Sequence, residues 1–312
     1  MSTHDASLRE VGDGVWAYLQ PLATWGYSNA GLVGGDGASL LVDTLFDLRL
    51  TRAMLDAMAA VTAWRAIATV VNTHANGDHC YGNQLVRGAR IVTSEASANE
   101  MDDVPPSLLH AFKQLDLGEE GNRFVADAFG PFRFDDIEDT RPTDTFTGSL
   151  AVAVGDRPVT LEEVGPAHTR GDVIAWVPDA RVVFTGDILF IGSTPIVWAG
   201  PVENWLAACR RIRDLAPAVV VPGHGPLTDL DGVGQVEGYL EWLHREAAKR
   251  HGGGMDVLAA AWDLELGDYG EWADTERIVV NVDAVYAELD PDHRRMNAVD
   301  SFREMGRYRA TH

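Results

Sequence analysis

Apolar and polar positions alternate in short β-type runs through the first two thirds of the chain and shift to helical spacing towards its end. Residues 15–19 and 29–33 read as strands, and Gly34-Gly35-Asp36-Gly37 is the glycine-rich connection of a hairpin into residues 39–43. Leu48, Leu50, Met54, Leu55 and Met58 recur with the period of an amphipathic helix over residues 48–60. The run Ile67-Ala68-Thr69-Val70-Val71 then predicts a buried strand, and further strands are expected at 150–154, 173–177, 181–184 and 218–221, with a helix over 202–215. Beyond residue 230 the pattern is helical, over 233–251, 256–264 and 275–289, with glycine and proline breaks between. Residues 95–145 are less regular. Pro105, Pro106, Pro131 and Pro142 interrupt a segment rich in large apolar residues, among them Phe112, Phe124, Phe129, Phe132 and Phe134. It reads either as a packed helical insertion or as a lid that gives a pocket an apolar wall.

A chain of 312 residues with 46% apolar content suits one large domain or a core with an appendage. Charge narrows the partners: 25 Lys and Arg against 47 Asp and Glu give −22, a field that repels phosphate backbones and anionic membranes. No nucleic acid and no membrane partner are therefore expected. Cys80 and Cys209 are too few for a disulfide framework, residues 1–10 lack an apolar leader core, and no run approaches a membrane span. A soluble cytoplasmic protein is the expectation, with its oligomeric state left open.

The chemistry concentrates after the strand at 67–71. Asn72-Thr73-His74-Ala75-Asn76-Gly77-Asp78-His79-Cys80-Tyr81-Gly82-Asn83 packs two imidazoles and a carboxylate into one polar turn. Three later islands add His168 in Gly-Pro-Ala-His-Thr-Arg-Gly-Asp, Asp187 in Phe-Thr-Gly-Asp and His224 in Pro-Gly-His-Gly. Neutral imidazole and carboxylate are ligands suited to zinc, so His74, Asp78, His79, His168, Asp187 and His224 are the candidate metal set. The remaining histidines, at 4, 110, 244, 251, 293 and 312, sit outside such motifs and read as surface or packed residues. Gly186, Gly223 and Gly225 allow sharp backbone turns where side chains converge. Thr169 and Asp172 either support the His168 loop or cap it locally. Cys80 reads as a small packed residue; Tyr81, Phe112 and Trp198 are candidates for a substrate wall, with core packing as the alternative.

The order and residue types of these motifs resemble the metallo-β-lactamase superfamily, whose signature begins His-x-His-x-Asp-His, over residues 14–230. The resemblance implies an α/β fold, an αβ/βα four-layer sandwich over residues 1–230 with 95–145 as insertion or lid, and a C-terminal helical extension over 231–312. It places His74 and His168 at a first zinc site, Asp78, His79 and His224 at a second, and Asp187 as the bridge. Asp43 resembles the family's buried supporting aspartate; turn capping is its other reading. Asn76 stands where the family has its second His and offers only a weak oxygen ligand. One or two Zn2+ are expected, two being favoured because His74 and His168 otherwise lack a role. The implied activity is attack of metal-bound hydroxide on an acyl thioester or ester, with Asp78 as the catalytic carboxylate and a small-molecule or carrier-bound acyl substrate. Asn76 and the aromatic insertion further resemble the lactamase-fold polyketide cyclase–thioesterases. The alternatives are a glyoxalase II-like glutathione thioester hydrolase and a non-catalytic binding protein on a degraded metal site. Arg294, Arg295, Arg303, Arg307 and Arg309 offer a basic patch for an acidic carrier, or simply solvated helix faces.

Overall fold

A computed structural model describes residues 6–312, so His4 lies outside the described residues. Strands β1 (Ser7–Gly12), β2 (Val15–Leu19), β3 (Ala30–Gly34), β4 (Ala38–Val42), β5 (Ala66–Val71), β6 (Arg90–Ser94) and β7 (Asp144–Phe146) form one sheet in that order. β1 to β4 pair antiparallel and β4 to β7 parallel. A second sheet holds β8 (Ser149–Val154), β9 (Arg157–Glu163), β10 (Val173–Val177), β11 (Val182–Phe184) and β12 (Val219–Val221), again neighbours in sequence order. Its first four strands are antiparallel, and β12 lies parallel to β11.

Period-two alternation builds the layers. Leu32, Leu41, Val70 and Ile91 point outward from the first sheet onto Met54 and Met58 of α1 (Leu48–Thr62). Val33, Leu40, Val42, Val71 and Val92 point inward and meet Val159, Leu161, Val173 and Ala175 of the second sheet. Ile174, Val183 and Val220 face away from that interface into a third cluster. The result is helix, sheet, sheet, helix: the expected αβ/βα sandwich. Asp47 caps α1 by accepting the Leu50 N–H at 2.8 Å.

Between β5 and β7 lie α2 (Gly77–Cys80), α3 (Glu95–Glu100), α4 (Pro106–Phe112) and α5 (Gly118–Phe129). The crossover from β11 to β12 is α6 (Val202–Asp214); α7 (Leu230–Gly252), α8 (Val257–Asp263), α9 (Ile278–Leu289) and α10 (Ala298–Thr311) follow. Residues 275–277 form a separate 3₁₀ turn, so α9 starts later than its apolar pattern suggests. Every residue of α9 from Ile278 to Tyr286 is buried, as expected for a helix that is apolar around most of its circumference, with Asn281 and Asp283 the polar exceptions. Val282, Val236 and Leu240 share one cluster with Ile174 and Val183, so the C-terminal helices and the second sheet have a continuous core. Three of the tail arginines make ion pairs within the C-terminal region. Arg295 pairs with Asp283, Arg303 with Asp300 and Arg307 with Glu304.

Leu41, fully buried between β4 and α1, tests the outer layer. Leu41→Ala should lower unfolding free energy by roughly 2–5 kcal/mol. Trp64→Ala, at an 86% exposed site, should stay within about 0.5 kcal/mol. Urea titration of both variants checks the contrast.

Candidate metal centre

The candidate ligands converge because the strands that precede them end at one edge of the sandwich. His74 follows β5, Asp187 follows β11, His224 follows β12, and His168 lies in the connection from β9 to β10. The edge is held by backbone bonds between the sheets: Val173 N–H donates to Thr73 O at 2.8 Å, and Asn29 N–H to Gly223 O at 2.7 Å. Asp78 and His79 sit on α2, a single helical turn that also carries Cys80. Cys80 is buried, with its thiol towards Ala75 O and Asn76 O.

Asp187 is central. Its Oδ2 lies 3.4 Å from His168 Nε2, 3.4 Å from His224 Nε2 and 3.7 Å from His74 Nε2, while its Oδ1 lies 3.1 Å from His79 Nε2. Asp78 Oδ2 approaches His224 Nε2 at 3.3 Å. Ligating atoms of His74, His168 and Asp187 form one compact group, and those of Asp78, His79 and His224 a second. A Cβ on Gly223 would stand 2.0 Å from Asp187 Oδ1, so only glycine lets the His224 loop approach.

Hydrogen bonds fix three imidazole tautomers. Ile196 O can only accept, so His168 Nδ1, 2.7 Å away, carries a proton. The Asp43 carboxylate likewise accepts from His79 Nδ1 at 2.9 Å. Thr73 spends its hydroxyl proton on Asp43 Oδ2 at 2.8 Å, so its oxygen accepts from His74 Nδ1 at 3.0 Å. Each ring therefore turns its Nε2 inward, and that nitrogen is the one left without a proton when the ring is neutral. Asp43 thus supports two candidate ligands rather than merely capping a turn. Asp172 accepts from Thr169 N–H and Thr169 Oγ1 and from Ala167 N–H, locking the loop around His168, while burial raises its own pKa to about 8.

The buried His74 Nε2, His79 Nε2 and Asp187 Oδ1 have no hydrogen-bond partner. Each such orphan costs on the order of 1–3 kcal/mol. Three of them converging among His and Asp side chains fit a divalent cation with zinc-like preferences. Electrostatics divides the cluster. Burial lowers His168 to about 4 and His74 well below its usual value. Burial pulls His79 and His224 down too, but the carboxylates of Asp187 and Asp78 outweigh it, holding His224 up at about 9 and His79 well above normal. Burial raises Asp78 and Asp187, yet the facing imidazoles win and keep both carboxyls low.

Asn76 Nδ2 lies 2.9 Å from His168 Nε2, in the place of a ligand but as a donor to the lone pair an ion would use. The group opens into a cavity of about 290 Å3 walled by Trp25, Phe46, Phe112, Phe129, Phe190 and Trp198, with Phe302 and Arg277 from the C-terminal region. Phe112 and Trp198 thus line it. Tyr81 does not: its ring stacks on Phe46 and its hydroxyl donates to Val104 O at 2.8 Å. The insertion at 95–145 divides likewise, Phe112 and Phe129 facing the cavity while Phe124, Phe132 and Phe134 pack elsewhere. The supporting roles of Thr73, Ser28 (bonded to Asp78 O) and Asn29 (bonded to Pro222 O and Gly225 O) carried no signal beyond position beside a motif.

The chain belongs to the metallo-beta-lactamase superfamily, whose family profile matches residues 23–224. Among curated relatives it is 24% identical over 230 residues to the human acyl-coenzyme A thioesterase MBLAC2, covering 69% of this chain and 80% of that protein. It is 28% identical over 181 residues to hydroxyacylglutathione hydrolase of Methylococcus capsulatus, covering 58% of this chain and 54% of the relative. Among solved structures, a metallo-beta-lactamase from Pontibacter korlensis superposes with a TM-score of 0.57 at 19% identity, covering 76% of this chain and 99% of that one.

Two outcomes follow from this geometry. Zinc loading near pH 7 should release protons from His79 and His224, seen calorimetrically as a binding enthalpy that varies with the buffer's ionisation enthalpy; buffer-independent heat would contradict the arrangement. Asp43→Asn should weaken zinc binding by about 10–100-fold in chelator competition, the usual cost of losing a ligand's supporting partner.

Proposed function

We propose that this protein is a divalent-metal-dependent hydrolase of acyl thioesters whose acyl group is apolar. The observation that carries the proposal is the placement of the His/Asp cluster against one aromatic-walled cavity. The relatives named as thioester hydrolases support the reaction class. A zinc ion held there would acidify water and polarise the thioester carbonyl.

The chain's own residues divide the remaining work. His74, His168 and Asp187 form one half-site, Asp78, His79 and His224 the other, with Asp187 shared between them. Asp78 is the most exposed of the six, its side chain 12% accessible against 3% or less for the others. Its low pKa keeps it a carboxylate, so it can accept a hydrogen bond from a water and orient it. The rings of Trp25, Phe112 and Trp198 desolvate and hold the acyl group. A thiolate is a good leaving group, since a free thiol already ionises near about 8.5, and needs no dedicated acid.

Among the described residues no helix is long and apolar enough to cross a membrane. Asn76 and the aromatic walls favour one finer reading, a polyketide cyclase–thioesterase. A poly-β-ketone thioester mimic tests it: cyclised product supports ring closure, and a linear acid alone removes it.

Acyl-pantetheine and acyl-coenzyme A substrates of graded length, with a hydroxyacylglutathione beside them, test the main reading. Each buried methylene contributes about 0.8 kcal/mol. Four more should therefore raise kcat/KM by roughly two orders of magnitude until the cavity is full. A flat length profile, or turnover of the glutathione thioester alone, would overturn the apolar assignment. Asp78→Asn should abolish turnover with folding intact. Asn76→His should tighten the weaker of two zinc-binding steps, read by titration against a chelating dye.

A further inference from the structure

Helix α9 meets the candidate metal centre through a single peptide unit. His168 Nδ1–H donates to the Ile196 carbonyl at 2.7 Å. The N–H of the same peptide, that of Val197, donates to Asn281 Oδ1 at 2.8 Å. Asn281 Nδ2 then donates to Pro195 O at 2.8 Å and to the Tyr239 hydroxyl at 2.7 Å. The amide orientation is unambiguous, because Val197 N–H can only donate and Pro195 O only accept. Asn281 is fully buried and Tyr239 nearly so.

A buried carboxamide between Val280 and Val282 is an expensive choice if packing is the sole requirement, because an apolar side chain of similar size avoids desolvating it. Its use follows from the loop. One acceptor and one donor hold the peptides on either side of Ile196 while a second donor is anchored on Tyr239, and among the side chains of its size a carboxamide supplies all three. Hydrogen bonds in series through one peptide also polarise one another, strengthening the bond to His168 and the basicity of its Nε2.

We propose that Asn281 is a positioning residue for His168, aiming its Nε2 at Asp187 through the Ile196–Val197 peptide and tying metal affinity to the C-terminal helices. The proposal rests on His168 being a metal ligand, as argued above. Arg295 provides the control, because it grips the Val197 and Trp198 carbonyls of the same loop but neither end of that peptide.

The test compares Asn281→Leu, Tyr239→Phe and Arg295→Met in the full chain. In metal-free protein, NMR of 15N-labelled imidazoles follows the His168 Nδ1–H proton. Asn281→Leu should move this resonance upfield and speed its exchange with solvent. Tyr239→Phe should do so to a smaller degree, which keeps the test alive if Asn281→Leu does not fold, and Arg295→Met should leave it in place. In zinc competition, Asn281→Leu should weaken the step that perturbs His168 by at least about tenfold, with the step that perturbs His79 and His224 changed less than twofold. An unmoved His168 proton in Asn281→Leu, or in Tyr239→Phe where only that variant folds, overturns the relay. So does an equal loss at both steps shared with Arg295→Met. Wild-type protein that binds no zinc would instead sink the metal reading, since the metal-free spectra test the relay independently.

Discussion

The centre depends on one buried carboxylate. Asp43 accepts the Thr73 N–H at 2.7 Å, the Thr73 hydroxyl at 2.8 Å and the His79 Nδ1–H at 2.9 Å. These bonds tie the end of β4 to the end of β5, and they set the tautomers of His74, through Thr73, and of His79. The arrangement is costly to the fold. Burial raises the Asp43 pKa despite its three donors, and the residue adopts a left-handed backbone with φ +63. Such a conformation costs an L-residue about 1–2 kcal/mol, somewhat less for aspartate than for a bulky side chain. A site chosen for stability alone would carry glycine or asparagine there. Asp43 is explained by the two rings it aims.

The same logic extends outward through the backbone. Trp198 and Ala199 N–H groups donate to His168 O at 3.0 Å, and Gly200 N–H donates to Ala167 O at 2.8 Å, so residues 196–200 and the His168 loop form one hydrogen-bonded unit. That unit is held from behind by Arg277, which donates to Thr194 O at 2.8 Å and lies over the rings of Trp25 and Phe190. Phe190 in turn stacks on His224 with 5° between planes. His224 Nδ1 has no hydrogen-bond partner, so ring contact does for this imidazole what hydrogen bonds do for the other three. The C-terminal segment therefore bears on the cavity wall and on the orientation of the rings, and does more than cover a sheet.

Much of this was legible in sequence for a definite reason. Strand-end motifs such as Val70-Val71-Asn72-Thr73-His74 and Val221-Pro222-Gly223-His224 combine a burial pattern with chemically unusual residues, and each signal strengthens the other. β10 and the β3–β4 hairpin followed their alternation, and α1 its spacing. β9 was missed although Val159 and Leu161 alternate correctly, because Arg157, Pro158 and two glutamates dilute the run. α10 was missed because its buried face, Ser301, Phe302, Met305 and Tyr308, is carried on a strongly charged sequence. The supporting residues were illegible in kind: Asn281 is one asparagine in an apolar helix, and only the fold reveals that it faces the peptide beside His168.

Asn76 sets the two groups of candidate ligands apart. His79 and His224 are held above their usual pKa by Asp78 and Asp187, which means that their surroundings favour added positive charge. His74 and His168 are pushed the other way by burial, so their half-site offers neutral nitrogen and a carboxylate it must share. Asn76 compounds the difference, because its Nδ2 faces the lone pair of His168 and must turn or withdraw before that nitrogen can ligate. Carboxylate charge therefore concentrates on the Asp78, His79 and His224 side, while the lone pair of His168 is already taken by an amide donor. The two adjoining groups of candidate ligands thus differ through the positions of one amide and one shared carboxylate, with no change in the fold that carries them.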